Sequence, residues 1–267
     1  MTNNNSPIGV FDSGLGGLTV LNELKKVLPN ESFIYFGDNA HLPYGNKSAE
    51  SIIDYSQQIV KFLLSHNVKC IIIACNTASA IALNQLTIKF SIPIIDVISP
   101  IVSLIKNNED LKSLGIIGTP NTIQSNSYTN RLLEINNNLN IHTKACPLFV
   151  PIIEEGMQNH KVASIITEEY LQDIIVHNLD ALILACTHYP MIISTIKKHI
   201  PKKIKIIDSA KITANYVKNQ LSGNDLLSNT IDQKLKFYVS DKPHTFYKKA
   251  SEFLNINLNN LEKVTLR

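Results

Sequence analysis

Lys69-Cys-Ile-Ile-Ile-Ala-Cys-Asn-Thr-Ala-Ser-Ala80 has an echo later in the chain, Asp180-Ala-Leu-Ile-Leu-Ala-Cys-Thr-His-Tyr-Pro190. Each is a short apolar run that ends in Ala-Cys and continues into small polar residues able to open a helix. A continuous apolar run of this length reads as a strand buried on both faces, as in a parallel sheet. Cys75 and Cys186 then fall at the carboxyl ends of parallel strands, the edge at which open α/β sheets bind ligands.

Outward from these stretches the chain alternates strands and helices. Pro7 to Phe11 reads as a strand and runs into Asp12-Ser-Gly-Leu-Gly-Gly17, whose glycines allow a tight turn close to a ligand. Leu18, Leu21, Leu24 and Leu28 recur at helical spacing until Pro29. Ser32 to Gly37 is a second strand, Asp38 to Gly45 a polar loop, and Ser48 to Ser65 a helix with Ile52, Ile59, Phe62 and Leu63 on one face. After the Cys75 strand come a helix over about 77–90 and a strand from Ile92 to Val97. Ile98-Ser99-Pro100 reads as a hinge, after which the pattern restarts.

In the second half, strands are expected at Leu114–Gly118, Ile141–Ala145 and Ile204–Ile207, around the Cys186 strand. Helices are expected over 123–133 and 163–176, and from Cys186 to about His199. Thr119-Pro-Asn-Thr122 is a polar strand exit and 147–156 a loop. The remainder, 210–267, holds a helix over 213–221, a strand over 236–239, a helix over 246–254 and a last strand near Val264. It reads as an extension packing back on the first half.

The fold class is therefore α/β, with two pseudo-symmetric lobes of mostly parallel sheet flanked by helices and a cleft between them. Lobe one spans 1–98 and is completed by 209–267; lobe two spans 99–208. Val10 to Cys75 is 75 − 10 = 65 positions and Ile117 to Cys186 is 186 − 117 = 69; Cys75 to Asp96 is 21 and Cys186 to Asp208 is 22. The matched periods suggest an internal duplication.

Composition narrows the function classes. The 267 residues are 44% hydrophobic and 18% charged, an ordinary globular balance. A net charge of +3, with no basic block beyond Lys202-Lys203, gives no footprint for nucleic acid. Neither a signal peptide nor a membrane span is indicated, so the cytoplasm is the expected compartment. The four cysteines, Cys70, Cys75, Cys146 and Cys186, follow no zinc or disulfide spacing; Cys70 and Cys146 read as core.

Two lobes related by an approximate two-fold would set Cys75 and Cys186 on opposite walls of one cleft. Such a pair suits inversion of a stereocentre next to a carboxylate: one thiolate takes the Cα proton and the opposite thiol returns one. A thiol pKa of roughly 8.5 lets modest surroundings select either state, and a helix N-terminus after each cysteine would favour thiolate. Ser13, Asn76, Thr77, Thr119 and Thr187, at strand exits, can stabilise the developing enolate-like charge with hydroxyls and backbone N–H groups.

Asp12-Ser-Gly-Leu-Gly-Gly17, Pro43-Tyr-Gly45, Ala74-Cys-Asn-Thr-Ala78, Gly118-Thr119, Pro151-Ile-Ile-Glu-Glu-Gly156 and Ala185-Cys-Thr-His-Tyr-Pro190 resemble, in order, the motifs of the cofactor-independent aspartate/glutamate racemase superfamily, and within it the glutamate racemases. The resemblance covers nearly the whole chain. It implies interconversion of L- and D-glutamate without pyridoxal phosphate or metal, to supply D-glutamate for peptidoglycan. It makes Cys75 and Cys186 the proton donors and acceptors, with Asp12 assisting Cys75, and Glu154 and His188 assisting Cys186. Asp12-Ser13, Tyr44-Gly45, Asn76-Thr77 and Thr187-His188 match the substrate-contacting pairs. The expected assembly is a homodimer. The chain departs from the family pattern at Asp38-Asn-Ala-His-Leu-Pro43 and at Ala185.

Blander readings stand beside these. Asp12 could cap a helix beginning near Leu15, Glu154 could be a solvated loop charge, His188 a structural histidine, and Tyr44 a packing residue. The glycines of 14–17 fit neither nucleotide fingerprint. The competing functions are aspartate racemisation at the same site and a metal-dependent hydrolase using Cys75, Cys186 and His188, since thiolate and imidazole bind zinc.

Overall fold

A computed structural model describes residues 4–230, 233–254 and 258–266. The fully apolar stretches form its central strands. β1 (Ile8–Asp12), β2 (Phe33–Gly37) and β3 (Cys70–Ile73) are buried along their whole length, as runs covered on both faces must be. The leucines 18, 21 and 24 of α1 (Leu18–Val27) and Ile52, Ile59 and Leu63 of α2 (Ala49–Ser65) turn inward. α3 (Asn76–Lys89) follows β3, and β4 (Ile94–Asp96) closes the first four-strand series.

α4 (Ile98–Lys106) comes next, then β5 (Ser113–Gly118), α5 (Pro120–Gln124), α6 (Ser127–Ile135) and β6 (Asn140–Ala145). α7 (Phe149–Glu154), α8 (Lys161–Ile175), β7 (Ala181–Ala185), α9 (Ile193–Lys198), β8 (Lys205–Asp208) and α10 (Ser209–Gly223) complete the second half. β9 (Leu235–Val239), α11 (Pro243–Leu254) and β10 (Leu261–Lys263) end the described chain.

All pairings are parallel, in two sheets ordered β10-β9-β2-β1-β3-β4 and β6-β5-β7-β8. The shared series is the same in both: second, first, third, fourth strand. Val10 pairs with Ile72, three residues before Cys75, and Ile116 pairs with Ile183, three before Cys186. The partner of Val10 in the repeat is thus Ile116, one residue earlier than the expected Ile117, and Ser13 corresponds to Thr119. The C-terminal segment adds β9 beside β2.

Two helices cross between the sheets. α4 leaves β4 of the first sheet, yet Ile98, Ile101 and Ile105 pack with Leu114, Tyr128 and Leu132 under the second. α10 leaves β8 of the second sheet, yet Ala210, Ala214, Val217 and Leu221 pack with Leu18, Leu21 and Leu24 under the first. The crossing helices also touch each other.

Several expectations are corrected. Ile98-Ser99-Pro100 is not an irregular hinge but the start of α4; Pro100 lies in the first turn, where its missing N–H breaks no helical bond. The loop at 147–156 contains α7, with Pro151 in its first turn and Phe149, Val150, Ile152 and Ile153 buried. The helix expected over 123–133 is split in two at Asn126, which adopts φ 54°, a left-handed conformation that asparagine tolerates. α10 begins at Ser209 rather than 213, because the Asp208 carboxylate accepts from Ala210 N at 2.9 Å and caps it. The last strand ends just before Val264, whose N–H still donates to Val239 O. No helix among the described residues is long and apolar enough to cross a membrane.

Candidate active site

The exits of β1, β3, β5 and β7 converge where the lobes meet. There they border a small cavity of about 20 Å³ lined by Ser13, Tyr44, Gly45, Cys75, Asn76, Thr77, Thr119, Cys186, Thr187 and His188, with Leu42, Pro43 and Val150. Both thiols and residues of both lobes wall the same small space. It has room for roughly one water. Of the residues expected in the site, only Asp12 and Glu154 stand outside this lining, each behind a residue that belongs to it.

Cys75 is the N-cap of α3, with its sulfur accepting from Ala78 N at 3.4 Å and its thiol facing Ser13 Oγ at 3.7 Å. Burial, reinforced by the Asp12 carboxylate, pushes this thiol up to about 12, and the Ala78 and Ser13 contacts only partly offset that. The helix N-terminus does favour the thiolate at Cys75, through the Ala78 N–H, but desolvation outweighs it. At Cys186 the expected helix end itself is absent, because a 3-10 turn over Tyr189–Ile192 follows and an α-helix starts only at Ile193. Alkylation tests the consequence for Cys75. Near neutral pH, iodoacetamide should modify it far more slowly than an exposed thiol of pKa about 8.5; labelling at the free-thiol rate would contradict the buried, protonated state.

Cys186 has a different neighbour. His188 Nδ1 lies 4.0 Å from its sulfur, and His188 Nε2 is 2.8 Å from Glu154 Oε1. Burial works against charge on His188, but hydrogen bonds and charge from Cys186 and Glu154 prevail and raise it to about 10. Burial likewise opposes charge on Glu154, and His188 together with Lys249 overcomes it, lowering the carboxyl to about 2. Lys249 Nζ sits 2.9 Å from Glu154 Oε2.

Asp12 is fully buried, and its carboxylate accepts from Gly14 N at 2.9 Å and from Thr187 Oγ1 at 3.2 Å. It does not cap α1, whose N-cap is Gly17. Nor does it bond Cys75 directly; Ser13 stands there instead, and Asp12 reaches the thiol through its charge alone. Burial raises the Asp12 pKa against the opposing His188 charge. Tyr44 is buried and donates to Asp38 Oδ2 at 2.6 Å, while His41 Nδ1 approaches the same carboxylate at 2.9 Å. Asp38 and His41 thus hold Tyr44 in the wall.

The seam between the lobes is polar. Thr77 Oγ1 meets Thr119 Oγ1 at 2.9 Å and Thr122 Oγ1 at 3.1 Å. Tyr128 donates to Asn76 Oδ1 at 2.6 Å, and Asn121 Nδ2 donates to the Tyr44 and Lys47 carbonyls. Asn76 Nδ2 remains buried without a partner, a donor in the cavity wall. Thr122, Asn121, Tyr128 and Lys249 were not singled out from the sequence. Thr122 carried a signal, lying three residues after the strand-exit Thr119, which caps α5 through the Thr122 N–H. Lys249 carried none. Cys70 and Cys146 are buried and line no part of this cavity. Among the described residues, no three His, Cys, Asp or Glu side chains are placed to share a metal ion.

A two-lobed α/β chain with paired thiols and an imidazole–carboxylate pair at the strand exits defines an enzyme of acid–base type. The chain belongs to the Asp/Glu/Hydantoin racemase family, whose profile matches residues 8–217; it is a racemase, an isomerase. A glutamate racemase of Geobacter metallireducens is 42% identical over 260 residues, 97% of this chain and 96% of that one. The crystal structure of glutamate racemase from Francisella tularensis in complex with D-glutamate is 43% identical, covers 98% of both chains and superposes with a TM-score of 0.92. That of Thermus thermophilus, in complex with beta-chloro-D-alanine, is 38% identical, covers 99% of this chain and 98% of that one, and has a TM-score of 0.90.

Proposed function

We propose that the protein interconverts L- and D-glutamate by passing the Cα proton between Cys75 and Cys186. One observation carries the reading: both sulfurs line a single small cavity, each delivered by the equivalent strand of its own lobe. One thiolate removes the proton, and the opposite thiol delivers its own to the other face of the carbanion. In the reverse direction the roles exchange. The imidazolium of His188 supplies positive charge beside Cys186. At Cys75, where burial disfavours the thiolate, the substrate's ammonium brings the missing cation. The unpartnered Asn76 Nδ2, the N-terminus of α3 and the Thr77–Thr119–Thr122 hydroxyls suit the substrate carboxylate and the charge that develops on it.

Glutamate is favoured over aspartate by the names of the full-length relatives and by the D-glutamate bound in the Francisella enzyme. D-glutamate made here would serve peptidoglycan synthesis. A cavity with room for about one water cannot admit an amino acid, so the lobes part for binding and close for chemistry. The moving bodies are 1–98 with 209–267, and 99–208. The aspartates that end β4 and β8 differ: Asp96 is held by Arg131 Nη1 at 2.7 Å, whereas Asp208, raised by burial and then by the Glu23 charge, has no such clamp among the described residues.

Circular dichroism of purified protein with D-glutamate or D-aspartate, without added cofactor, tests the substrate. Loss of signal with D-aspartate alone would overturn the choice. In deuterated water, the first label at Cα is expected in product of inverted configuration. Equal early labelling of substrate and product would point to a single base.

A further inference from the structure

Lys249 lies outside the region matched by the family profile, on a helix that belongs to the other lobe from the residue it touches. α11 is anchored on lobe one: Phe246 and Ala250, one helical turn apart, are buried with the α1 and β9 side chains. Lys249, between them in sequence, projects from that helix across the seam to Glu154, at the end of α7 in lobe two. Glu154 is thereby shared. One oxygen faces His188 at 2.8 Å and the other faces Lys249 at 2.9 Å. His188 in turn faces Cys186. Among the described residues nothing comparable serves Cys75, whose contacts are Ser13 and the amide of Ala78.

We propose that Lys249 is a positioning residue that assembles the Cys186 side of the site only when the lobes close, by clamping the Glu154 carboxylate that orients His188. A carboxylate held on both oxygens by charge-assisted bonds has one orientation available, and His188 then keeps one ring placement toward the sulfur. When the lobes part, Lys249 leaves with lobe one. Glu154 loses its second anchor, and His188 is released from its fixed angle to Cys186. Proton abstraction by Cys186 is in this way confined to the closed, water-excluded state. The inference rests on the two-thiol reading given above.

The groups facing this relay are Cys186, Asp12 and the Tyr35 hydroxyl in addition to Glu154, His188 and Lys249. Removing a cation makes proton loss harder at every group it faces, so the acid limb of activity moves to higher pH. Lys249 is partly exposed and contributes its head group rather than core packing, so K249M and K249Q should fold. Both are expected to lower kcat/KM by about tenfold, the factor that about 1.4 kcal/mol commands. The loss is equal for L- and D-glutamate, because the enantiomers have equal free energy in water. The acid limb shifts up in both variants, and K249R restores rate and pH profile.

Wild-type rates and an unmoved pH profile in K249M would overturn the proposal. So would a slow K249R as impaired as K249M, with a lowered melting temperature and an unmoved profile, since that describes a structural contact only. A wild-type enzyme that fails to racemise glutamate would instead defeat the underlying reading, and the two failures are thereby separate.

Discussion

Cys75→Ala and Cys186→Ala are each expected to abolish measurable racemisation while leaving the fold intact. Each sulfur is one of two proton carriers, and removal of a positioned acid–base group costs roughly 10²- to 10⁴-fold; alanine offers no substitute. The structural cost is small, because each cysteine sits at a strand exit beside the cavity rather than inside a sheet. Thermal melts and circular dichroism should therefore match wild type closely. Either variant turning over glutamate near the wild-type rate would end the two-thiol scheme.

Gly16→Ala is expected to be damaging without removing any reacting group. A Cβ at this position would stand 2.3 Å from Thr187 Oγ1 and 2.6 Å from His188 Nδ1. Gly16 belongs to lobe one and both obstacles to lobe two, so the clash opposes closure rather than the folding of either lobe. His188 cannot swing aside, since Glu154 holds its other nitrogen. Overpacking costs about 1–3 kcal/mol, and if it falls wholly on the closed state, kcat/KM drops by about ten- to a hundredfold. Kinetics and small-angle scattering read the result together. Full activity with a closed profile would show that the seam relaxes around the methyl group. Gly45→Ala, whose Cβ would lie 2.7 Å from Thr119 Cβ, should behave similarly on the opposite side of the cleft.

The strand ends were legible because burial on both faces leaves a continuous apolar run, and both runs stop at Ala-Cys before a polar exit. The pairing of Cys75 with Cys186 followed from that repetition. Other features depend on partners distant in the chain. The stretches at 98–100 and 147–156 read as a hinge and a loop, yet Pro100 and Pro151 each occupy a first turn that tolerates proline, and the apolar residues around them find buried faces only in the folded lobes. The state of Cys75 turns on how deeply its sulfur is buried, which local motifs do not encode. Lys249 is one of two adjacent lysines in an otherwise ordinary amphipathic helix, and its contact with Glu154 spans 249 − 154 = 95 positions. Its importance exists only after both lobes and the C-terminal segment have come together.

The traded helices α4 and α10 bear on how such a chain could arise. Each half surrenders its last helix to cover the neighbouring half, so neither half keeps its own apolar surface hidden. A shorter ancestor with one β-α series would have met the same problem, and two copies exchanging their terminal helices would have solved it.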